Sequence, residues 1–265
     1  MAIKLFVTDL DGTLLDKEHH ISEENKRAIR EAVERGVVVT IATGRMYVSA
    51  LPFAKELGVD VPIITYNGAL IKSVSGEEYF NAYLPEDAVK DVLDYCLAKD
   101  WHIQVYSDDV LYFAERNAYA QGYEELAGLQ GEVVGGAGLY EHMQRVPKML
   151  SITSGAEETD ARVAELRKVF AGRVFPVKSN PNYAEIIGIG INKATSLEKL
   201  AAKLGFTMDE VMAIGDSNND LPMLKAAGHS VAMGNANDEV KAACGYVTAD
   251  CEQSGVAEAI RKYVL

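Results

Sequence analysis

Two aspartates separated by one residue, Asp9 and Asp11, follow an apolar run over residues 3–7 and lead into Gly12 and Thr13. Side chains alternate faces along an extended strand, so Asp9 and Asp11 project to the same side. Two convergent carboxylates at a strand end offer a nucleophile, a proton donor and a seat for a hard cation, which together are equipment for phosphoryl transfer. A bare D-x-D pair is also compatible with an ordinary solvated turn, so its meaning depends on the rest of the chain.

Three later segments supply the rest. Thr43-Gly44-Arg45 closes a second apolar run and leaves a hydroxyl and glycine amides at another strand end. Lys193 opens an amphipathic helix, and Gly215-Asp216-Ser217-Asn218-Asn219-Asp220 follows a strand-like run over 211–214. In this order and with these residue types, the four segments resemble the haloacid dehalogenase superfamily of phosphohydrolases. Within it they resemble most the Cof-type branch, which carries a large type IIB cap. The tail adds to the likeness through Leu221-Pro222-Met223-Leu224, Ala226-Ala227-Gly228, Val231-Ala232-Met233 and Asn235-Ala236.

The elements that must position these residues follow from the pattern. Strands are expected over 3–8, 37–42 and 62–65, alternating with helices near 23–35 and 47–57; Ser22 is placed to cap the first helix and Gly36 to end it. The rhythm resumes after Lys193, with a helix to about residue 204, a strand over 211–214, a helix over 221–227 and short strands over 230–233 and 246–248. Strands alternating with helices argue for parallel β-α-β units.

Residues 84–188 have another texture. Helices are expected over 86–99, 116–126 and 156–170, with strands over 102–107, 110–114 and 149–153 and a hairpin of 173–178 with 183–187. Short turns such as Asp108-Asp109 between strands indicate an antiparallel sheet with helices on one side. The expected fold class is therefore α/β, with a Rossmann-like parallel-sheet core (1–83 and 189–265) interrupted by an inserted α+β cap domain (84–188). In open parallel sheets ligands bind beyond the carboxyl ends of the strands, where all the motifs fall, and the resemblance implies that the Asp9 strand is central.

Composition narrows the partners. The 265 residues are 48% hydrophobic, enough for a sizeable core, and carry 26 Lys and Arg against 39 Asp and Glu, a formal net charge of −13. That balance disfavours nucleic acid and anionic membrane surfaces. No apolar stretch reaches the ~20 residues that span a bilayer, and Asp9 interrupts the first run too early for a signal-peptide core, so a cytoplasmic protein acting on a small molecule is expected. Cys96, Cys244 and Cys251 lack zinc-site spacing and are read as reduced, with packing roles. A monomer or weak homodimer is expected.

The resemblance assigns roles residue by residue. Mg2+ is the implied cofactor, held by the Asp9 carboxylate, the Asp11 main-chain carbonyl and the Asp216 carboxylate. Asp9 is then the nucleophile that forms an aspartyl-phosphate, and Asp11 the acid and base, kept protonated by its nearness to Asp9. Thr43, Lys193 and Asn219 look like phosphate holders, joined by the amides of Leu10 and Gly44, and Asp220 supports the metal shell or orients Lys193. Arg45 and Asn67 sit where they could touch substrate or make a turn or interdomain bond. His19 and His20 fall in a flap after the first strand and read as exposed. Trp101, Tyr106, Tyr112 and Phe113 read as cap core. Asn180, Tyr183 and Glu185 are candidates for contacting the non-phosphate part of the substrate, or else cap strand ends. Three functions follow: a Mg2+-dependent phosphatase of small phosphorylated metabolites such as sugar phosphates or phosphorylated cofactors, a phosphomutase, or a non-catalytic phosphate sensor.

Overall fold

The computed structural model describes residues 2–58 and 61–265. Among these the strands, in chain order, are β1 (Leu5–Thr8), β2 (Val38–Ile41), β3 (Ile63–Thr65), β4 (Leu70–Lys72), β5 (Glu78–Asn81), β6 (Gln104–Ser107) and β7 (Val110–Phe113). They continue with β8 (Glu132–Val133), β9 (Lys148–Ile152), β10 (Phe175–Asn180), β11 (Tyr183–Ile187), β12 (Val211–Gly215), β13 (His229–Ala232) and β14 (Tyr246–Val247). The chain divides into two compact units: Met1–Phe80 with Asn192–Leu265, and Asn81–Ile191.

In the first unit, five strands in the order β14-β13-β12-β1-β2 form a parallel sheet. All four residues of β1 are buried, as expected of an interior strand covered on both faces. β1 is interior, between β12 and β2, but β12 holds the middle place of the five. The helix Glu23–Glu34 forms because Asn25, Ala28, Ile29 and Ala32 line one face, Ser22 accepts the Asn25 amide at its start, and Gly36 leaves it at a φ of 84°. That face packs on the helix Gly255–Tyr263, where the Asn25 side chain accepts the Ala257 amide at 2.9 Å.

The strand expected over 62–65 departs from the parallel pattern. β3 pairs antiparallel with β4 in a separate three-stranded sheet, β3-β4-β5, and touches the main sheet through a single parallel bridge, Ala42 to Ile64. β4 and β5 were not anticipated, because strands of three and four residues around Ser75-Gly76 carry too little periodicity.

The second unit is built on the sheet β10-β11-β9-β6-β7-β8, antiparallel except for the β7–β8 pair. One face, with Val105, Tyr112, Met149 and Ile186, packs on the helix Glu86–Ala98 through Val89, Val92, Leu93 and Cys96. The register puts Lys148, Glu185, Tyr106 and Gln104 on the other face. Tyr106 and Phe113 are fully buried, and Trp101 lies partly buried against the core. Cys96 and Cys251 are buried and Cys244 half-buried, all as free thiols. No helix among the described residues is long and apolar enough to cross a membrane.

Candidate active site

The carboxyl ends of β1, β2 and β12 and the start of the helix Lys193–Leu204 meet in the first unit. Asn192 caps that helix, accepting the amides of Ala194 and Thr195 at 2.9 and 3.1 Å, which fixes where Lys193 begins. The Lys193 side chain is completely buried and donates to Asp9 Oδ1 at 2.7 Å and to Asp220 Oδ1 at 2.6 Å. Burial alone would lower its pKa, but the two carboxylates outweigh burial and raise it, so the ammonium is firmly held.

Asp220 also uses its second oxygen, accepting the amides of Asp216 and Ser217 at 3.1 Å each. A Cβ on Gly215 would come within 2.7 Å of that oxygen, so only glycine lets the carboxylate lie against the strand end. With both oxygens engaged, Asp220 orients Lys193 and the Asp216 loop. On the opposite side, Thr13 donates to Asp216 Oδ1 at 3.1 Å, and Gly12, at a φ of 71°, packs where a Cβ would meet Asp216 Oδ2 at 2.7 Å. Thr13 stands in the first motif, yet nothing in its spacing foretold this bond across 203 residues.

Asp9, Asp216 and Asp220 each bring a carboxylate oxygen within 4.8 Å of the others. Desolvation, then repulsion from Asp220, raises the Asp9 pKa well above the usual carboxylate range despite Lys193. Burial and the same repulsion push Asp216 up to about 6. Three carboxylates thus face one ammonium, and an all-oxygen donor set with surplus negative charge fits a hard divalent cation. Within the cluster, Asp220 is taken up by Lys193 and two amides.

The Asp11 side chain points elsewhere. It is 47% exposed and is gripped by Arg45 through two bonds, Nε to Oδ2 at 2.8 Å and Nη2 to Oδ1 at 2.6 Å. His19 Nδ1 lies 3.1 Å from the same Nη2 and 3.6 Å from Asp11 Oδ1. The forked guanidinium therefore holds the Asp11 side chain with both of its oxygens engaged. His19 is exposed as expected but is part of this cluster, and His20 lies further out.

Thr43 is buried, with its hydroxyl accepting the Arg45 amide at 3.1 Å and its carbonyl accepting the Asn67 amide at 3.0 Å. Asn67 is held at a φ of 55°, and its Oδ1 accepts from Asn219 Nδ2 at 3.1 Å. A Cβ on Gly44 would touch Asn67 at 3.0 Å. Leu10 is fully buried, and its carbonyl accepts the amides of Thr13 and Leu15 at 3.2 and 2.9 Å. Thus Asp9, Asp216, Asp220 and Lys193 form one cluster, while Thr43, Asn67 and Asn219 are linked by hydrogen bonds, with Gly44 packed against Asn67. In the second unit, Glu185 is buried in an ion pair with Lys148 at 2.9 Å, the Tyr183 ring centroid lies 5.9 Å from that of Tyr123, and Asn180 is exposed at the end of β10.

The profile of the haloacid dehalogenase-like hydrolases matches residues 6–260, nearly the whole chain. The chain belongs to this family. It is a haloacid dehalogenase superfamily phosphatase of the Cof-type branch. Among its relatives, the 5-amino-6-(5-phospho-D-ribitylamino)uracil phosphatase YcsE of Bacillus subtilis is 37% identical, over 99% of this chain and 96% of that protein. An HMP-PP phosphatase of Serratia proteamaculans is 31% identical, over 98% of this chain and 95% of that one. A haloacid dehalogenase-like hydrolase from Bacteroides thetaiotaomicron superposes with a TM-score of 0.91 at 32% identity, covering 98% of this chain and 99% of its own.

Proposed function

We propose that the protein is a Mg2+-dependent phosphatase of small phosphorylated metabolites that works through an aspartyl-phosphate on Asp9. The observation that carries this reading is the buried Asp9–Lys193–Asp220 triad beside Asp216, with more negative charge than one lysine can balance. Mg2+ bound by Asp9, Asp216 and the Asp11 carbonyl supplies charge neutralisation for the transferring phosphoryl group.

The chain's own residues do the rest. An Asp9 oxygen attacks phosphorus, the bond from phosphorus to the leaving oxygen breaks, and Asp11, once released by Arg45, gives that oxygen its proton. Water then attacks the phosphorus of the aspartyl-phosphate, Asp11 takes the water's proton, and inorganic phosphate and the Asp9 carboxylate are regenerated. Lys193 and the Thr43 hydroxyl, the Asn219 amide and the Leu10 and Gly44 main chain stabilise charge on the phosphoryl oxygens. Arg45 and Asn67 act at the edge of this group on the substrate side. In the inserted unit, Asn180, Tyr183 and Glu185 are the residues through which we assign discrimination between leaving groups.

The relatives' names support heading a substrate panel with 5-amino-6-(5-phospho-D-ribitylamino)uracil and HMP-PP, followed by sugar phosphates. The test is phosphate release from that panel and from an activated aryl phosphate, with and without Mg2+ after chelation. Turnover that needs Mg2+ and vanishes in Asp9→Asn supports the reading, and undiminished turnover in excess chelator overturns it.

A further inference from the structure

The Cof-like tail contains Asn235-Ala236-Asn237, which the catalytic assignment leaves unused. These residues lie in the loop between β13 and the helix Asp238–Ala243, a loop pinned by the Gly234 amide on the Ala249 carbonyl and by the Ala236 amide on the Met233 carbonyl, both at 3.0 Å. Asn235 Nδ2 donates to the Gly12 carbonyl at 2.7 Å, one residue beyond Asp11. Asn237 Nδ2 donates to Asn218 Oδ1 at 2.8 Å, two residues beyond Asp216. One short loop therefore holds both carboxylate-bearing loops.

The orientation of each amide follows from its other partner. Asn235 Oδ1 accepts the Cys251 amide at 3.1 Å, and Asn237 Oδ1 accepts the Val240 amide at 3.0 Å as the cap of its helix. A backbone N–H can only donate, so the NH2 groups must face Gly12 and Asn218. Both asparagines are exposed, and neither fills the core. Their donor bonds go to loops that carry Asp9, Asp11 and Asp216, and such outer contacts orient metal-binding groups.

We propose that Asn235 and Asn237 are positioning residues, a two-point brace that sets the spacing between the Asp9–Asp11 loop and the Asp216 loop and thereby the affinity for the divalent cation. The inference rests on the cation site assigned above. Asn→Asp substitutions isolate it, because aspartate keeps the oxygen that accepts Cys251 or Val240 and loses only the donor. An added negative charge near a cation site would by itself tighten cation binding, whereas loss of the brace loosens it, so the two effects have opposite signs.

The experiment is calorimetric titration of metal-free protein with Mg2+, without substrate, for the parent, Asn235→Asp, Asn237→Asp, the double Asp variant and Asp216→Asn, with thermal unfolding of each metal-free protein. The expected result is affinity weakened about tenfold in the double Asp variant, with metal-free midpoints close to the parent's. Parental or tighter Mg2+ binding in the Asp variants, while Asp216→Asn loses it, overturns the brace and leaves the cation site standing. Parental binding in Asp216→Asn overturns the cation site and the brace with it. Should an Asp variant unfold early, Asn235→Ala, which removes the donor without adding charge, replaces it, and parental affinity there counts against the brace.

Discussion

Each unit of the molecule buries a lysine against carboxylate, and the two clusters differ in their charge balance. In the inserted unit Lys148 donates to Glu185 at 2.9 Å, with side chains 3% and 6% exposed and the Tyr106 ring 4.9 Å from the ammonium. Burial lowers the Lys148 pKa, but Glu185 outweighs it, and the ammonium stays charged. In the core Lys193 serves Asp9 and Asp220 at once, with Asp216 beside them, so the cluster is left negative. A balanced buried pair is complete within the fold, whereas a surplus of buried carboxylate calls for a cation or a proton from outside. The difference marks the core cluster as the one prepared for a cation.

The comparison is broken most severely at Asp9. Asp9→Asn keeps the volume and the hydrogen-bonding shape, so the fold should persist while kcat drops by about a thousandfold or more, read by steady-state phosphate release. Lys193→Met should also abolish turnover and, by leaving two buried carboxylates without their partner, cost about 3–5 kcal/mol in metal-free denaturant unfolding.

Rescue sharpens the contrast. Lys148→Met alone should cost a similar amount, about 3 kcal/mol, by stranding Glu185, but Lys148→Met with Glu185→Leu should return to within about 1–2 kcal/mol of the parent. On the proposed role of Glu185 in discriminating leaving groups, the same double change should keep aryl phosphate hydrolysis within about threefold and show its effect on larger substrates. In the core, Lys193→Met with Asp220→Asn should recover stability without recovering turnover. Full activity in that pair would remove the distinction between the clusters.

The smallest expected effect is a pH dependence. Asp216 is pushed up to about 6 in the folded protein against an ordinary value of 3.8, so between these values the folded state holds a proton that the unfolded chain has released. Unfolding free energy from this group therefore falls as pH rises through that window, and the raised Asp9 acts in the same direction. Metal-free parent should gain thermal stability relative to Asp216→Asn as pH is lowered from 7 to 5. Mg2+ competes with the same proton, so its stabilising shift should be larger at pH 7 than at pH 5, with affinity falling about tenfold per pH unit below 6 for one proton displaced. Equal shifts at both pH values would remove Asp216 from the cation site.

Much of this was legible in the chain because chemistry and architecture coincide at strand ends. The apolar run before Asp9, the alternation of strands and helices and the Ser22 and Gly36 signals depend on neighbours in sequence, and they located β1, β2, β12 and the first helix. The β4–β5 hairpin was missed because its strands are too short to show a period. Contacts set by side-chain direction were also hidden. Arg45 grips Asp11 across 34 residues and Thr13 reaches Asp216 across 203, and neither bond leaves a trace in local spacing. Glu185 was expected at a substrate contact or a strand cap, yet it lies opposite Leu150, which brings Lys148 two residues along β9 into diagonal reach. That pairing depends on strand register.

The central claim is that the surplus-charge cluster arms Asp9 as a covalent nucleophile. Its most direct test is to mix enzyme, Mg2+ and excess aryl phosphate, quench during turnover, treat with borohydride and map the peptides by mass spectrometry. Borohydride reduces an acyl phosphate to the alcohol, so the account predicts homoserine at position 9, dependent on Mg2+ and substrate and absent in Asp9→Asn. Sustained turnover, with quenching and recovery verified on a known acyl phosphate, and with position 9 recovered only as aspartate while another residue carries the phosphoryl group, would contradict it.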